Sequence, residues 1–390
     1  MAPILYYGPF APPANGQRIA HEAFYRLLAP EADLRHIPIE GVPVLPSIGS
    51  YLSKARVLSH VRGQRALGRA LDQAPGATVY FCAAGSGRGI LRDLSLVART
   101  RSRAGRIVAH VHSGNYEAHW ETPARRRMAT WLAERLDAIV VPTETQAARV
   151  RPVVGATPVH VVSNVVDDRV RLTDAEVEAS WALRARPGPL RVLYLSNFIP
   201  SKGYLDVIAA LARTTTSVEA TLAGTWSDTR SYEEALGRIR ALQLGARVRV
   251  LPPYSTREAV KDALSRHHVV VLPTTYPSEA QPLAILEAMA NGCAVVATRH
   301  ASIPEYVTDG ENGLLVPPHD PGALAVAFDR LTDLDWALAL GRRGRTVADR
   351  VFSPEHSRAS LREALGLVRY PPTVSAGGQS STAGDMGRGS

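Results

Sequence analysis

Two glutamates eight positions apart, Glu279 and Glu287, lie where the sequence predicts a strand, a loop and a helix in succession. The apolar run that ends near Leu272 predicts the strand. Pro282 suits the first turn of the helix because it lacks an N–H that would be unpaired there. The free N–H groups around Gln281 to Leu283 can receive a diphosphate. At ~1.5 Å per residue, Glu287 lies roughly 7 Å further along the axis than Pro282. The two carboxylates can therefore bind hydroxyls on opposite sides of the diphosphate, which is the layout of a nucleotide sugar.

A resemblance to a known family rests on the whole run from Pro273 to Pro317. Glu279 and Glu287 have the spacing Glu-x7-Glu, a helix end is predicted at Asn291-Gly292, and the run continues through Ile303-Pro-Glu305. The run resembles the family-4 retaining glycosyltransferases of GT-B fold, which carry this signature. The alternative is a surface helix with incidental glutamates, and a match that keeps its order over the whole run argues against it.

The resemblance implies a fold and a reaction. The fold is α/β, with two Rossmann-like domains facing across a cleft. The reaction is metal-independent transfer of a sugar, with retention, from a nucleotide-diphosphate donor to a hydroxyl acceptor. The acceptor gives its proton to the departing diphosphate, so no nucleophilic side chain and no cofactor are needed. Glu279 would hold sugar hydroxyls and Glu287 the ribose. The further donor-binding positions implied here are Ala280, Gln281, Pro282 and Leu283.

A candidate cation, Lys202, follows the predicted strand Leu190–Leu195. It is one of three lysines in a chain of 45 basic residues, so we favour a functional role over that of a surface lysine. The family usually carries Gly-Arg-x4-Lys-Gly here to neutralise the donor diphosphate, and Lys202-Gly203 fits the lysine. Asn197 stands at the arginine position. A neutral amide is a weaker donor than arginine, so this departure predicts weaker diphosphate binding.

A histidine pair ends the predicted strand Ile107–Val111. His110 and His112 lie on one face of that strand, and His112 is nearer its carboxyl end. The resemblance implies that His112 contacts and orients the transferred sugar. His110 is predicted to be a packed core histidine, and Ser113 and Gly114 are candidates to line the cleft.

Two weaker positions complete the candidate site. Gly16, with Asn15 beside it, lies in the first βα loop, where family members often have a glycine that lets the backbone approach the donor or the acceptor. Tyr254 follows the strand Val248–Leu251 and resembles the loop beside the nucleotide base. The segment Val162–Asp167 is interpreted as structural.

Short β-branched runs alternate with amphipathic segments along the whole chain, which predicts two doubly wound sheets. The expected strands of the two sheets are Ile4–Tyr7, Leu34–Ile39, Thr78–Ala83, Ile107–Val111, Ala138–Val141 and Val159–Val162, then Leu190–Leu195, Val218–Ala223, Val248–Leu251, Val269–Leu272, Ala294–Ala297 and Leu314–Val316. The predicted organisation is an acceptor domain at 1–185, a donor domain at 186–350, a helix at 351–370 that packs on the first domain, and a disordered tail at 371–390. Ala185–Pro189 is the expected linker.

Composition further limits the classes of protein to which the chain can belong. No run reaches the roughly 20 apolar residues that cross a bilayer, and Ile4–Tyr7 reads as a strand rather than a signal peptide. The cysteines, Cys82 and Cys293, are interpreted as small buried residues of a cytoplasmic protein. No His/Cys cluster has ligand spacing, and the only Asp-x-Asp, Asp333-Leu-Asp335, is interpreted as a solvated helix face. We therefore predict no metal site.

Alternatives remain open at this stage. A nucleotide-sugar epimerase can share the two-domain architecture, but no acid–base pair can be assigned to it. The net charge of +9 permits a nucleic-acid-binding protein, although the arginines are scattered rather than interleaved with aromatic residues. The basic segment Tyr51–Leu71 is either a helix packed on the first sheet, which we favour, or a peripheral contact with an anionic membrane. The acceptor (a cell-envelope glycan, a lipid or a natural product), the donor sugar and its base stay open.

Overall fold

The computed structural model describes residues 2–10, 16–39, 54–85 and 87–367. Within these ranges the chain forms two six-stranded sheets, and every pair of neighbouring strands is parallel. The first sheet contains β1 (Ile4–Tyr7), β2 (Leu34–Ile37), β3 (Thr78–Cys82), β4 (Arg106–His110), β5 (Ala138–Val141) and β6 (Val159–Val161). The second contains β7 (Leu190–Leu195), β8 (Val218–Ala223), β9 (Val248–Leu251), β10 (Val269–Leu272), β11 (Ala294–Thr298) and β12 (Leu314–Val316).

Both sheets are doubly wound, with strand orders β2-β1-β3-β4-β5-β6 and β12-β11-β10-β7-β8-β9. All twelve predicted strands are present, with differences of one or two residues at some ends, so the predicted fold class of two Rossmann-like domains is confirmed. Successive residues of β1 pack into different apolar cores. Ile4 and Tyr6 pack on one face of the first sheet, and Leu5 and Tyr7 pack on the other. A parallel sheet covered on both faces requires such continuous apolar strands.

Helices cover both faces of each sheet. Those that begin in the first half of the chain are α1 (Gly16–Leu28), α2 (Lys54–Gln73), α3 (Ile90–Thr100), α4 (Pro123–Ala133), α5 (Glu144–Val150) and α6 (Asp174–Arg184). The rest are α7 (Tyr204–Leu211), α8 (Thr229–Ala241), α9 (Arg257–Arg266), α10 (Leu283–Ala290), α11 (Pro321–Leu331), α12 (Leu334–Val351) and α13 (Pro354–Ala364).

The chain crosses between the domains twice. Helix α6 packs on α9 and α12, and the guanidinium of its fully buried Arg184 donates to the carbonyl oxygens of Leu264 and Gly292. The first crossing therefore precedes α6, and the predicted linker Ala185–Pro189 lies after a helix that already belongs with the second domain. Helix α13 returns to the first domain, where Leu361 packs in the cluster around Ile4 and Phe24.

Helix α2 packs its Leu67 and Leu71 into the first core, while Arg62, Arg65 and Arg69 are exposed. These positions favour the packed-helix interpretation of the basic segment, whose residues 51–53 lie outside the described ranges. Among the described helices, none combines the length and the apolar character needed to cross a membrane. The predicted tail at 371–390, and residues 368–370 of the last predicted helix, also lie outside the described residues.

Candidate functional site

The loop that carries Glu279 joins the end of β10 to α10. Its backbone is held by hydrogen bonds from the last residue of β11 and the residues that follow it. Thr298 Oγ1 donates to the carbonyl of Thr274 at 2.5 Å, His300 Nε2 lies 2.9 Å from the carbonyl oxygen of Tyr276, and Ser302 Oγ donates to that of Ala280. These bonds satisfy carbonyls that a loop at this depth would otherwise leave unpaired, so the loop is a fixed part of the second domain.

Helix α10 begins one residue later than predicted. Pro282 is its N-cap rather than its first helical residue, and Asn291 and Gly292 close it, with Gly292 at φ +63°. The N–H groups of Leu283 and Ala284 have no hydrogen-bond partner within the described part of the chain. Because Pro282 has no N–H, it sets the position of this helix end but cannot donate to a ligand.

Glu279 is paired with Lys202. The Lys202 Nζ lies 2.6 Å from Glu279 Oε2, which also accepts from Thr274 Oγ1 at 3.0 Å, and Glu279 is only 7% exposed. Lys202 is brought here by Gly203, which has φ +80° and abuts Pro273 so closely that a Cβ would overlap the Pro273 carbonyl oxygen. The structure thus joins the predicted cation to the predicted sugar-binding carboxylate.

Glu287 is buried and bonded to Arg257, a residue that the sequence analysis missed. The Arg257 guanidinium donates to Glu287 Oε1, and its Nε lies 3.7 Å from Asp167 Oδ2. Burial raises the pKa of the Glu287 carboxyl, and the Arg257 charge opposes that rise. Arg257 begins α9, after the edge strand β9, and arginine is too frequent in this chain for one example to stand out.

The Glu279 loop touches the first domain directly. The Gly114 N–H donates to the Ser278 carbonyl at 3.0 Å, and Ser278 Oγ donates to Asn115 Oδ1 at 3.0 Å. Gly114 abuts Glu279 so closely that a Cβ would overlap the Glu279 carbonyl oxygen. Only glycine permits this approach without movement of one loop, so Gly114 joins the two sides of the cleft.

Two further contacts hold the domains together. Asn164 lies between β6 and α6, where the chain first crosses between the domains. Its N–H donates to Gln281 Oε1 at 2.7 Å, and its side-chain amide donates to the Gln281 carbonyl at 3.0 Å. Glu305 accepts from the N–H groups of Glu144 and Thr145, at 3.1 and 2.6 Å, at the start of α5. The Gln281 side chain, predicted to lie at the donor site, therefore accepts a hydrogen bond from the segment between β6 and α6.

His112 follows β4 on the first-domain side of the cleft and is partly exposed. Its ring stacks on that of His110, with centroids 4.0 Å apart, and His110 is fully buried against Tyr80, which confirms its predicted core position. Burial lowers the pKa of His112 to about 4, so the ring is neutral near pH 7. Within the described residues, His112 Nε2 has no hydrogen-bond partner.

The remaining predicted site residues make fewer contacts than those described above. Asn197 follows β7, and its carbonyl accepts from the Tyr194 hydroxyl at 3.0 Å. Gly16 begins α1, and a Cβ there would meet no described atom within 4 Å, so the described contacts do not require glycine. Tyr254 lies half-buried between β9 and α9. Asn15 lies outside the described residues.

The structure also forms a cluster that the sequence analysis did not find. His21 of α1, Cys82 of β3 and His112 place one ligand-type atom each within 4.8 Å of one another. The prediction of no metal site was based on the spacing of histidines and cysteines along the chain. These three residues are far apart in sequence and meet because β1, β3 and β4 are neighbours in the sheet. Cys82 and Cys293 are both buried and free, as predicted.

Known proteins resemble this chain in sequence and in fold. Residues 177–345, which include most of the second domain, match the family model of glycosyl transferases group 1. The α-D-kanosaminyltransferase of Streptomyces kanamyceticus is 28% identical over 246 residues, which are 58% of this chain and 61% of that protein. The chain spans less than two thirds of the length of the first curated relatives that it matches.

Two solved structures show the fold. The sucrose-phosphate synthase of Thermosynechococcus elongatus superposes with a TM-score of 0.74 at 20% identity, covering 94% of this chain and 99% of that one. HepE of Anabaena, in complex with UDP and glucose, superposes with a TM-score of 0.70 at 17% identity, covering 94% and 100%. The predicted GT-B fold is therefore confirmed.

Proposed function

We propose that this chain is a retaining glycosyltransferase of family 4 that moves a sugar from a nucleoside diphosphate to a hydroxyl acceptor without a catalytic metal. The observation that carries the proposal is the Lys202–Glu279 pair beside the start of α10, where the Glu279 loop meets the loop of His112 and Gly114 from the other domain. A cation, a carboxylate and a helix N-terminus thus face the region where the two domains meet.

The charges suit a diphosphate leaving group. The N–H groups of Leu283 and Ala284 are available within the described residues, and the dipole of α10 adds positive potential at this end. Lys202 is paired with Glu279 and can turn its ammonium toward a bound phosphate. Fixed donors aimed at developing negative charge are the usual means of electrostatic catalysis, so these groups can replace a metal ion.

The proposed step breaks the bond from the anomeric carbon to the diphosphate oxygen and forms a bond from that carbon to the acceptor oxygen on the same face. The acceptor proton passes to the departing diphosphate. Glu279 holds the sugar hydroxyls, and the neutral His112 orients the sugar. Glu287 keeps Oε2 for the ribose, because Arg257 occupies Oε1. The close contact between Gly114 and the Glu279 backbone limits access of water to the anomeric carbon and so limits donor hydrolysis.

The relatives support this class of substrate. HepE was crystallised with UDP and glucose, and the Streptomyces relative is named as a transferase of the sugar kanosamine. We therefore propose a nucleoside diphosphate sugar as donor, with UDP sugars as the first to test, and a glycan, lipid or natural product as acceptor.

The test is a thermal-shift screen with UDP, GDP, dTDP and the matching monophosphates. A ligand that binds the native state raises its melting temperature. At least one diphosphate should raise the Tm of the wild-type chain and of Lys261→Ala, and should do so much less for Lys202→Ala. Lys261 is a matched lysine in a surface ion pair with Glu176. Equal shifts in all three proteins would contradict the assignment of Lys202.

The reaction is then followed by NMR with the diphosphate sugar that binds. Retention predicts a product with the donor's anomeric configuration, at a rate that a chelator of Mg²⁺ leaves unchanged. An inverted product, or a rate that requires Mg²⁺, would refute the mechanism. Donor incubated without acceptor should remain unchanged, since conversion of the sugar alone would identify an epimerase instead.

A further inference from the structure

We propose that His21, Cys82 and His112 bind a zinc ion, and that the bound ion blocks sugar transfer by engaging His112. The binding claim stands on the first-domain cluster alone. The blocking claim rests on the proposed function, which gives His112 a role toward the sugar.

The three side chains come from separate elements and converge. Strands β3 and β4 pair with Cys82 opposite His110, so His112 lies two residues beyond the position of Cys82 at the same edge of the sheet. Helix α1 lies over this edge and supplies His21. The ligand-type atoms are within 4.8 Å of one another. A tetrahedral zinc site, with Zn–S near 2.3 Å and Zn–N near 2.0 Å, needs separations of about 3.5 Å, which small side-chain rotations can reach.

His21 is the strongest sign that this cluster binds a ligand. It is 1% exposed, and neither ring nitrogen has a hydrogen-bond partner among the described residues. Its ring packs against Tyr6, with centroids 4.4 Å apart, but that contact satisfies no nitrogen. Burial of an unpaired polar group is unfavourable, so a group of this kind calls for a partner. A metal ion would provide one.

The donor set selects the metal. One thiol and two imidazoles are the ligands of zinc, whereas Mg²⁺ and Ca²⁺ take oxygen ligands. Neutral imidazole is the form of histidine that binds metals. Cys82 must lose its proton to solvent as the Zn–S bond forms, because burial raises its pKa to about 11. Gln17 Nε2 already donates to Cys82 Sγ at 2.6 Å and would stabilise the thiolate.

Cobalt(II) is the probe of binding, since a thiolate-bound tetrahedral Co²⁺ gives a charge-transfer band and intense visible bands. The wild-type chain should show both, and equimolar Zn²⁺ should abolish them while excess Mg²⁺ should not. Cys82→Ser should lose the charge-transfer band. Cys293→Ser is the matched control, because this second buried cysteine lies in the other domain, and it should keep the band. His112→Gln, at a partly exposed position, is a second variant in case Cys82→Ser does not fold.

Absence of the bands in the wild-type chain, or their persistence in folded Cys82→Ser and His112→Gln, would overturn the site. For the blocking claim, Zn²⁺ should inhibit transfer by the wild type and Cys293→Ser alike. Cys82→Ala should keep its basal rate and need at least tenfold more Zn²⁺ for half inhibition; equal sensitivity would refute blocking. Specific cobalt bands in a chain that transfers no sugar would leave the metal site standing and remove the proposed function.

Discussion

The buried histidines of the two domains differ in how their ring nitrogens are paired. In the second domain His267 and His268 each have both ring nitrogens in hydrogen-bonding contact with the protein, and Glu279 and Glu287 each have a cationic partner. In the first domain, His21 and His112 leave ring nitrogens without a partner among the described residues. These second-domain side chains are therefore paired within the protein, whereas the first domain presents histidines that a ligand would complete.

The largest expected effect comes from breaking the charged pair of the second domain. Lys202→Ala should lower kcat/KM by roughly 10²-fold, about 2.7 kcal/mol of transition-state free energy, because it removes the cation that we propose opposes the diphosphate charge. Glu279→Ala should cost as much. Lys261→Ala should stay within about twofold, since exposed ion pairs contribute little. Steady-state kinetics, with circular dichroism to show folding, decide the matter, and near-normal rates in both site variants would overturn the assignment.

A smaller effect is expected where the two sides meet. Gly114→Ala places a methyl group against the Glu279 carbonyl, so one loop must move away. Displacements of about 1 Å can cost up to 10²-fold in rate, and we expect about tenfold in kcat with the diphosphate thermal shift retained. Gly237→Ala on α8, where a Cβ meets nothing within 4 Å, is the control. A Gly114→Ala enzyme with wild-type kcat would show that the close approach is not needed for turnover.

The smallest expected effect is on the pH dependence of stability, and it comes from His268, a second-domain histidine that has partners on both ring nitrogens. His268 Nδ1 accepts from the Arg191 N–H at 2.8 Å, and its Nε2 lies 2.9 Å from the Arg184 carbonyl, so the ring must be neutral. Burial lowers its pKa to about 4, against 6.5 when unfolded. Between these values the unfolded chain binds the proton and the folded chain does not. Stability should therefore fall as the pH falls from 6.5 to 4, by up to about 1.4 kcal/mol per pH unit from this residue.

Urea unfolding at pH 7, 6 and 5 measures that slope. His268→Asn should have a shallower decline than the wild type, whereas a change at the surface, His356→Gln, should leave the slope as it was. If His268→Asn kept the full decline, the partnered histidine would not be a source of the acid sensitivity.

The sequence predicted the fold because the signal is local. Val269–Leu272 is a continuous apolar run between His268 and Pro273, and it forms a strand buried on both faces. The general proximity of Lys202 and Glu279 was predictable, because each residue follows one of two strands that lie side by side, β7 and β10. The resemblance singled out these two residues; the neighbouring strands explain why they meet.

The missed features depend on distant contacts. Arg257 follows β9 at the far edge of the second sheet and reaches Glu287 only through its long side chain. His21, Cys82 and His112 have no common spacing, because the order of strands in the sheet brings them together. The early crossing between domains was also hidden, since Arg184 resembles a surface arginine until its carbonyl partners are known.

The return of α13 to the first domain has a consequence for synthesis on the ribosome. Leu361 and Leu365 complete the apolar cluster that contains Ile4, Phe24 and Val140, yet they emerge only after the entire second domain has been made. Domains made first generally fold first, but here the early half of the chain waits with an uncovered apolar face. The last helix of the described residues is thus the one that closes the first core, and the nascent chain is exposed to aggregation until it arrives.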